Sequence, residues 1–109
     1  METKYTKQIA LILENARGYI KEFIYNHNGE YINQKNELPF ITYFEPEIDK
    51  NMCAEIHRIY TETTLFGIID IFVELSNGVI RHISNCELWE ICYLADTLKH
   101  IAKIEQEGK

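Results

Sequence analysis

The chain has 109 residues, of which 46% are hydrophobic and 12% aromatic, and its 17 acidic and 11 basic residues give a net charge of -6. This composition predicts one folded domain over residues 1–109. It excludes fibrous and disordered chains, because aliphatic residues are plentiful while Gly and Pro are few. The basic residues are dispersed, which argues against nucleic acid as a partner, since that binding needs clustered Lys and Arg.

The first predicted element is a long amphipathic helix over residues 3–27, starting at Glu2 or Thr3. Its apolar side chains recur at helical spacing, and three more widen the same face. Asn28 and Gly29 follow, and this pair predicts a left-handed stop. The predicted face consists of Tyr5, Ile9, Ile12, Ala16, Tyr19 and Phe23, widened by Leu13, Ile20 and Ile24.

The next stretch, residues 30–49, is predicted to be irregular apart from one strand near residues 38–44. Pro39 places that strand at a sheet edge, because proline has no N–H to donate to a neighbouring strand. Glu45, Glu47 and Asp49 follow in a loop. Short-spaced carboxylates suit calcium, but the loop lacks the glycine and the distal glutamate of a calcium-binding loop. We therefore expect a solvated acidic loop that could face a basic protein partner.

Residues 50–63 fit two patterns. Met52, Ile56 and Ile59 have helical spacing, and Asp49 could cap such a helix. Residues 54, 56, 58 and 60 also alternate as in a strand, and the sequence that follows is rich in threonine. We predict a strand interrupted by a bulge, with the helix as the alternative.

Residues 65–75 give the clearest strand signal, and the Asn77-Gly78 pair predicts a two-residue type I′ hairpin turn. This turn would place Leu75 opposite Ile80, and Glu74 opposite Arg81. The predicted core-facing residues are Leu65, Ile69, Ile71, Val73, Leu75 and Ile80, and the opposite face carries Phe66, Ile68 and Phe72.

The last predicted helix covers residues 85–105, and the Ser84-x-x-Glu87 pattern predicts a capping box at its start. The whole order of elements predicts an α+β fold. In it, an antiparallel sheet of three to four strands is covered on one face by the N-terminal and C-terminal helices. The predicted buried stripe of the last helix is Leu88, Ile91, Cys92, Ala95, Leu98 and Ala102.

Two residue pairs have the chemistry of zinc ligands: Cys53 with His57, and His82 with Cys86. Cys86, placed in the first turn of the last helix, could also be a nucleophile with His82 as its base. Against both readings, the spacing is not that of a common zinc knuckle, and no glycine-rich oxyanion loop or Ser/His/Asp arrangement is visible. We therefore expect no metal, no cofactor and no catalytic residue.

The predicted compartment is the cytoplasm. The three cysteines form no CxxC pair, which favours free thiols in a reducing environment. The apolar run at residues 9–13 is too short for a signal peptide, and no stretch approaches the roughly 18 apolar residues of a membrane span. The abundance of isoleucine, and of lysine over arginine, suggests a bacterial or phage gene.

Two helices on one sheet face would leave Phe66, Ile68 and Phe72 uncovered, which predicts a protein interface and a homodimer. The alternatives are that the first helix covers the second face, or that a small-ligand cavity lies there. The sequence therefore predicts a small non-enzymatic protein-binding or regulatory module, with interface candidates Phe66, Ile68, Phe72, Glu45, Glu47 and Asp49. The alternative is a small enzyme or zinc-binding protein that uses Cys86, His82, Cys53 and His57.

Overall fold

The computed structural model describes residues 4–108, with side chains described from Thr6 onward. The predicted helix start at Glu2 or Thr3 and the side chain of Tyr5 lie outside this part. The fold is α+β with an antiparallel sheet of five strands, one more than the upper predicted number. The elements are α1 (Lys4–Tyr25), β1 (Glu30–Ile32), β2 (Phe40–Glu45), β3 (Lys50–Thr63), β4 (Ile69–Leu75), β5 (Ile80–His82), a 3-10 turn (Ile83–Asn85) and α2 (Leu88–Glu107).

Strand β3 organises the sheet, because it pairs with β1, β2 and β4, and β5 then pairs with β4. Its first half pairs with β2 and its second half with β1 and β4. The register shifts between Ile56 and Arg58, which marks a bulge. The predicted bulged strand is therefore confirmed and the helix alternative is wrong. Strand β2 pairs with β3 alone within residues 4–108, as expected for an edge strand that follows Pro39.

The two faces of the sheet differ because side chains alternate along each strand. Both helices pack on the covered face, whose buried strand residues join the helices in one core. The alternative in which α1 covers the second face is therefore wrong. The open face carries Arg58, Tyr60, Phe72, Glu74 and His82, which the strand register places side by side. The covered face contributes Ile56, Ile59, Ile71, Val73 and Leu75 to the core.

Helix α1 ends at Tyr25, two residues before the predicted end, and the predicted left-handed stop follows it. Asn28 (φ 64°) and Gly29 (φ 91°) are both left-handed, and the Gly29 N–H donates to the carbonyl of Ile24 at 2.9 Å. The buried face of α1 is narrower than predicted, because Ile12 remains 53% exposed. Its buried residues are Ala16, Ile20, Phe23 and Ile24.

Strand β4 starts four residues later than the sequence predicts. The Thr64 N–H donates to the Ile68 carbonyl at 2.8 Å, and Gly67 is left-handed (φ 80°), so the chain turns here. Residues 65–68 are named the apolar turn. Leu65 is fully exposed in this turn and Ile69 is 41% exposed, so the core positions predicted for both are wrong.

The hairpin between β4 and β5 has a three-residue loop, so the predicted type I′ turn is wrong. The Gly78 N–H donates to the Leu75 carbonyl, and the Leu75 N–H donates to the Val79 carbonyl. Gly78 has a φ of 90° and Asn77 is not left-handed, as in a type I turn followed by a glycine bulge. The extra residue shifts the register by one and turns Ile80 to the open face, 47% exposed.

Helix α2 begins at Leu88 with Glu87 as its N-cap, and the capping box joins Glu87 to Glu90 rather than Ser84 to Glu87. Glu90 is buried, and its carboxylate accepts the N–H of Thr42 at 2.7 Å and the Thr42 hydroxyl at 3.0 Å. This contact covers the free edge of β2 with α2. The buried apolar stripe is Ile91, Leu94, Ala95, Leu98 and Ile101, whereas Leu88, Cys92 and Ala102 are half-buried.

Candidate functional site

The four residues of zinc-ligand type do not form one set. Cys53 is exposed on β3, His57 is exposed at the bulge, His82 lies on the open face and Cys86 is half-buried. Within residues 4–108, no three His, Cys, Asp or Glu side chains are grouped as a metal site. A tetrahedral zinc site needs such convergence, so the geometry gives this reading no support.

Cys86 lies outside the first turn of α2, contrary to the sequence prediction, because it precedes the Glu87 N-cap. Burial raises the pKa of its thiol to about 11, and the negative charge of Glu90 acts in the same direction. A nucleophilic cysteine needs the opposite shift. The ring nitrogens of His82 bond to Ser84 and Asp70, so His82 is not placed as a base for this thiol.

His82 links β4 to the 3-10 turn. Its Nε2 lies 3.0 Å from Oδ1 of Asp70, and its Nδ1 lies 2.7 Å from the Ser84 hydroxyl. The Ser84 N–H also donates to Nδ1, so the ring proton is on Nε2 and faces Asp70. Sequence reasoning missed this Asp–His–Ser chain because its register for β4 and β5 was off by one residue. Because Nδ1 contacts both the hydroxyl and the backbone N–H of Ser84, it holds the 3-10 turn that follows β5 in place.

The polar and aromatic side chains on the open face of the sheet contact one another. Arg58 bonds to Glu30 at 2.6 Å and to Glu74 at 3.1 Å. Its guanidinium also lies 4.2 Å from the centre of the Tyr60 ring. Phe72 stacks on Tyr60 with 5.5 Å between ring centroids. Phe72 therefore lies on the face predicted for it, but it is half-buried by its neighbours.

The apolar turn is the most exposed hydrophobic feature of the described chain. Phe66 is 91% exposed and Ile68 is 59% exposed. The turn is nevertheless ordered, because the Thr64 hydroxyl oxygen accepts the N–H groups of Phe66 at 3.3 Å and Ile68 at 3.1 Å. Large apolar side chains are thus presented to solvent on a fixed backbone, which is typical of a contact surface.

Two cavities adjoin the apolar turn. The first, named the apolar groove, has a volume of about 310 Å³ and lies between α1 and the ends of β3 and β4. The second, named the cationic cleft, has a volume of about 170 Å³. They share Lys21 and Ile69, so they form neighbouring parts of one surface. The groove is lined by Gly18, Lys21, Glu22, Tyr25, Gly29, Thr61 and Ile69, and the cleft presents Arg17, Lys21, Asp70, His82 and Ser84.

The acidic interface candidates lie at the other end of β3. Glu45 ends β2, while Glu47 and Asp49 belong to the turn at residues 46–49. The 14 residues of β3 separate this turn from the apolar turn by roughly 43 Å at 3.3 Å per residue. The structure therefore places the six interface candidates in three regions: the apolar turn, the open face and the acidic turn.

A further cavity of about 510 Å³ lies where the C-terminal ends of both helices meet β1. The imidazole of His27 bridges the Phe23 carbonyl at 2.7 Å and the Glu105 carboxylate at 3.0 Å. Burial and the neighbouring Glu37 raise the pKa of Tyr31 to about 12. His27 and Glu105 therefore join the ends of the two helices, while the Tyr31 hydroxyl donates to Glu37 at 3.3 Å.

No helix within residues 4–108 is long and apolar enough to cross a membrane. Comparisons of the chain with protein-family models, with curated proteins and with solved structures return no match.

Proposed function

We propose that this chain is a non-enzymatic protein-binding or regulatory module that forms a homodimer through its apolar turn. The observation that carries the proposal is the 91% exposure of Phe66 on a backbone held by Thr64. An ordered turn loses little conformational freedom when it binds, so most of the hydrophobic gain remains available for association.

A second copy of the chain is the proposed occupant because a two-fold axis brings identical apolar turns together without any other sequence. If each chain hides about 300 Å² of apolar area, the pair gains roughly 15 kcal/mol before association costs. Association costs of about 9 kcal/mol, within the usual range of roughly 4–15 kcal/mol, leave a net gain of about 6 kcal/mol, so we expect a weak dimer with a dissociation constant of about 10–100 μM. The net charge of -6 opposes association only weakly at physiological salt, where the Debye length is about 8 Å.

The compartment we propose is the bacterial or phage-infected cytoplasm. The three cysteines are free, and Cys53 is exposed, which is compatible with a reducing environment. The composition, rich in isoleucine and in lysine over arginine, supports the proposed origin.

Sedimentation velocity of three proteins tests the proposal. Phe66→Asp and Ile48→Asp each put a carboxylate on an exposed apolar position in a turn, but at opposite ends of β3. We expect the wild type and Ile48→Asp to dimerise at about 100 μM, and Phe66→Asp to stay monomeric. A monomeric wild type, or equal dissociation of both variants, would contradict the proposal.

A further inference from the structure

We propose that the cationic cleft and the apolar groove together bind the C-terminal residue of a protein partner. The free carboxylate would lie in the cleft and the apolar side chain of the same residue in the groove. This inference rests on the proposed function as a protein-binding module and adds the class of partner that it takes, at a site beside the dimer contact.

The cleft contains two cations without partners. Arg17 and Lys21 lie four residues apart on α1, so they project from the same side of the helix. Within residues 4–108 neither has an ion pair, although the chain carries 17 acidic residues. The Nε of Arg17 is buried without an acceptor in this described part. That atom is sealed from solvent, so a carboxylate in the cleft would accept from the outer N–H groups of the guanidinium, two of which one carboxylate can bind.

The other polar groups of the cleft leave room for an anion. Asp70 is its one acidic side chain, and one of its oxygens already accepts from His82 Nε2 at 3.0 Å. The Ser84 hydroxyl lies against His82 Nδ1 at the edge of the cleft. Glu22 lines the groove but not the cleft, so within the cleft Arg17 and Lys21 face one carboxylate that is already bonded, and this local balance favours a bound anion there.

The groove supplies the apolar half of the site. An added Cβ at Gly18 would meet no atom within 4 Å, so the helix leaves open space there. The Tyr25 ring is 79% exposed beside it, and Ile69 is 41% exposed at the boundary with the cleft. The volume of about 310 Å³ accommodates a leucine or phenylalanine side chain.

Because the two cavities lie side by side, they fit the C-terminal residue of a partner better than an internal residue. The cavities share Lys21 and Ile69, so the anion and the apolar group must be attached close together. A terminal carboxylate and its own side chain branch from one Cα atom, which gives this short spacing. An internal Asp or Glu holds its carboxylate on a different residue from the apolar side chain.

Amide NMR titrations with acetyl-Ala-Ala-Leu and with its C-terminal amide test the inference at constant ionic strength. We expect saturable shifts at Gly18, Ile69 and Ser84, and binding of the free acid at least about tenfold tighter than that of the amide. Arg17→Gln and Lys21→Gln should each reduce this preference. Lys7→Gln, which removes one positive charge from an exposed position of the same helix, should preserve it.

Three results would overturn the inference. Equal affinity for the free-acid peptide and for its amide would show that the cleft does not bind the carboxylate. Acetate that shifts the cleft as strongly as the tripeptide would show a site for small anions alone. The absence of saturable shifts would remove the site altogether. Each of these results leaves the sedimentation test of the dimer unaffected, because the apolar turn is not part of the titrated site.

Discussion

The two ends of strand β3 carry short exposed turns of opposite character. At one end, residues 46–49 connect β2 to β3 and contain two acidic residues, with Asp49 left-handed at φ 51°. At the other end, the apolar turn connects β3 to β4 and contains no charged residue, with Gly67 left-handed at φ 80°. The acidic turn is satisfied by water, whereas the apolar turn gains by being covered.

The strand pairs that lead into the two turns, β2–β3 and β3–β4, are attached to the rest of the fold by different contacts. Strand β2 is tied to the rest of the fold through Thr42, which bonds to Glu90, and through Tyr43, whose hydroxyl accepts from Asn77 at 2.5 Å. The guanidinium of Arg81 lies 5.6 Å from the Tyr43 ring centre. The strands behind the apolar turn are held by Phe72, which stacks on Tyr60, and by Asp70, which contacts His82, while Thr64 holds the turn itself. Both ends are therefore attached to the fold, and they differ in whether the exposed side chains are charged or apolar.

Removal of the Glu90 carboxylate, which ties β2 to α2 through Thr42, should have the largest effect on stability. Glu90→Ala removes the acceptor of the Thr42 and Glu87 N–H groups and the Thr42 hydroxyl, and it leaves a space where the buried Glu90 side chain packs. We expect a loss of about 3 kcal/mol in the free energy of unfolding, measured by urea denaturation. Glu107→Ala, at an exposed position near the end of the same helix, should change stability by less than about 0.5 kcal/mol. Equal effects would show that Glu90 is not an anchor.

At pH 8 we expect Cys86 to react about a hundredfold more slowly than a thiol with the ordinary pKa of 9.0, because only the thiolate reacts. Cys53 is exposed near the acidic end of β3, whereas burial raises the pKa of Cys86 from 9.0 to about 11. We expect iodoacetamide to modify Cys53 first, and the rate at Cys86 to rise up to about pH 11, as read by peptide mass spectrometry.

The raised pKa of Cys86 also makes the stability of the fold depend on pH. The folded protein holds the Cys86 proton more tightly than the unfolded chain does. The stabilisation is therefore complete below pH 9.0 and is lost as the pH rises towards about 11. Fast modification of Cys86 at pH 8 would contradict the assigned burial.

Substitution of the left-handed residue should lower the free energy of unfolding by about 1 kcal/mol more at the apolar turn than at the acidic turn. Gly67→Ala has no steric obstacle, since an added Cβ meets nothing within 4 Å. Its expected cost of about 1 kcal/mol comes from the positive φ alone. Asp49→Gly at the acidic turn should change stability by less than about 0.5 kcal/mol, because aspartate already tolerates this conformation. Thermal denaturation checks both, and a neutral Gly67→Ala would contradict the turn geometry.

The smallest expected effect concerns the stability of the monomer. Phe66→Asp removes no buried contact, so its free energy of unfolding should stay within about 0.5 kcal/mol of the wild type in dilute solution. Urea denaturation at about 1 μM, well below the expected dissociation constant, measures this. A loss of 2 kcal/mol or more, on the order of a core substitution, would mean that Phe66 packs within its own chain.

Local signals predicted much of the fold. Asn28 and Gly29 ended α1, the apolar alternation identified β3, and its double pattern indicated a bulge, which lies between Ile56 and Arg58. These features depend on residues close in sequence, whose backbone preferences are strong. The short strand β1 was missed, because its three residues gain their order from pairing with β3 rather than from their own pattern.

The errors arose where one residue decides a long-range arrangement. Ser76 lengthened the hairpin loop, which shifted the register and placed Asp70, His82 and Ser84 in one hydrogen-bonded chain. Thr64 and Gly67 ended the strand early and put Phe66 in a turn. The apolar groove and the cationic cleft depend on how α1 crosses the sheet, and side-chain periodicity does not specify that crossing.

The most direct test of the central claim is a comparison of amide NMR spectra of the wild type at about 5 μM and about 500 μM, below and above the expected range of dissociation constants. We expect concentration-dependent shifts at residues 64–68 and unchanged positions at residues 46–49 and on the open face. Shifts that cluster at the acidic turn or on the open face, or spectra that do not change with concentration, would contradict it.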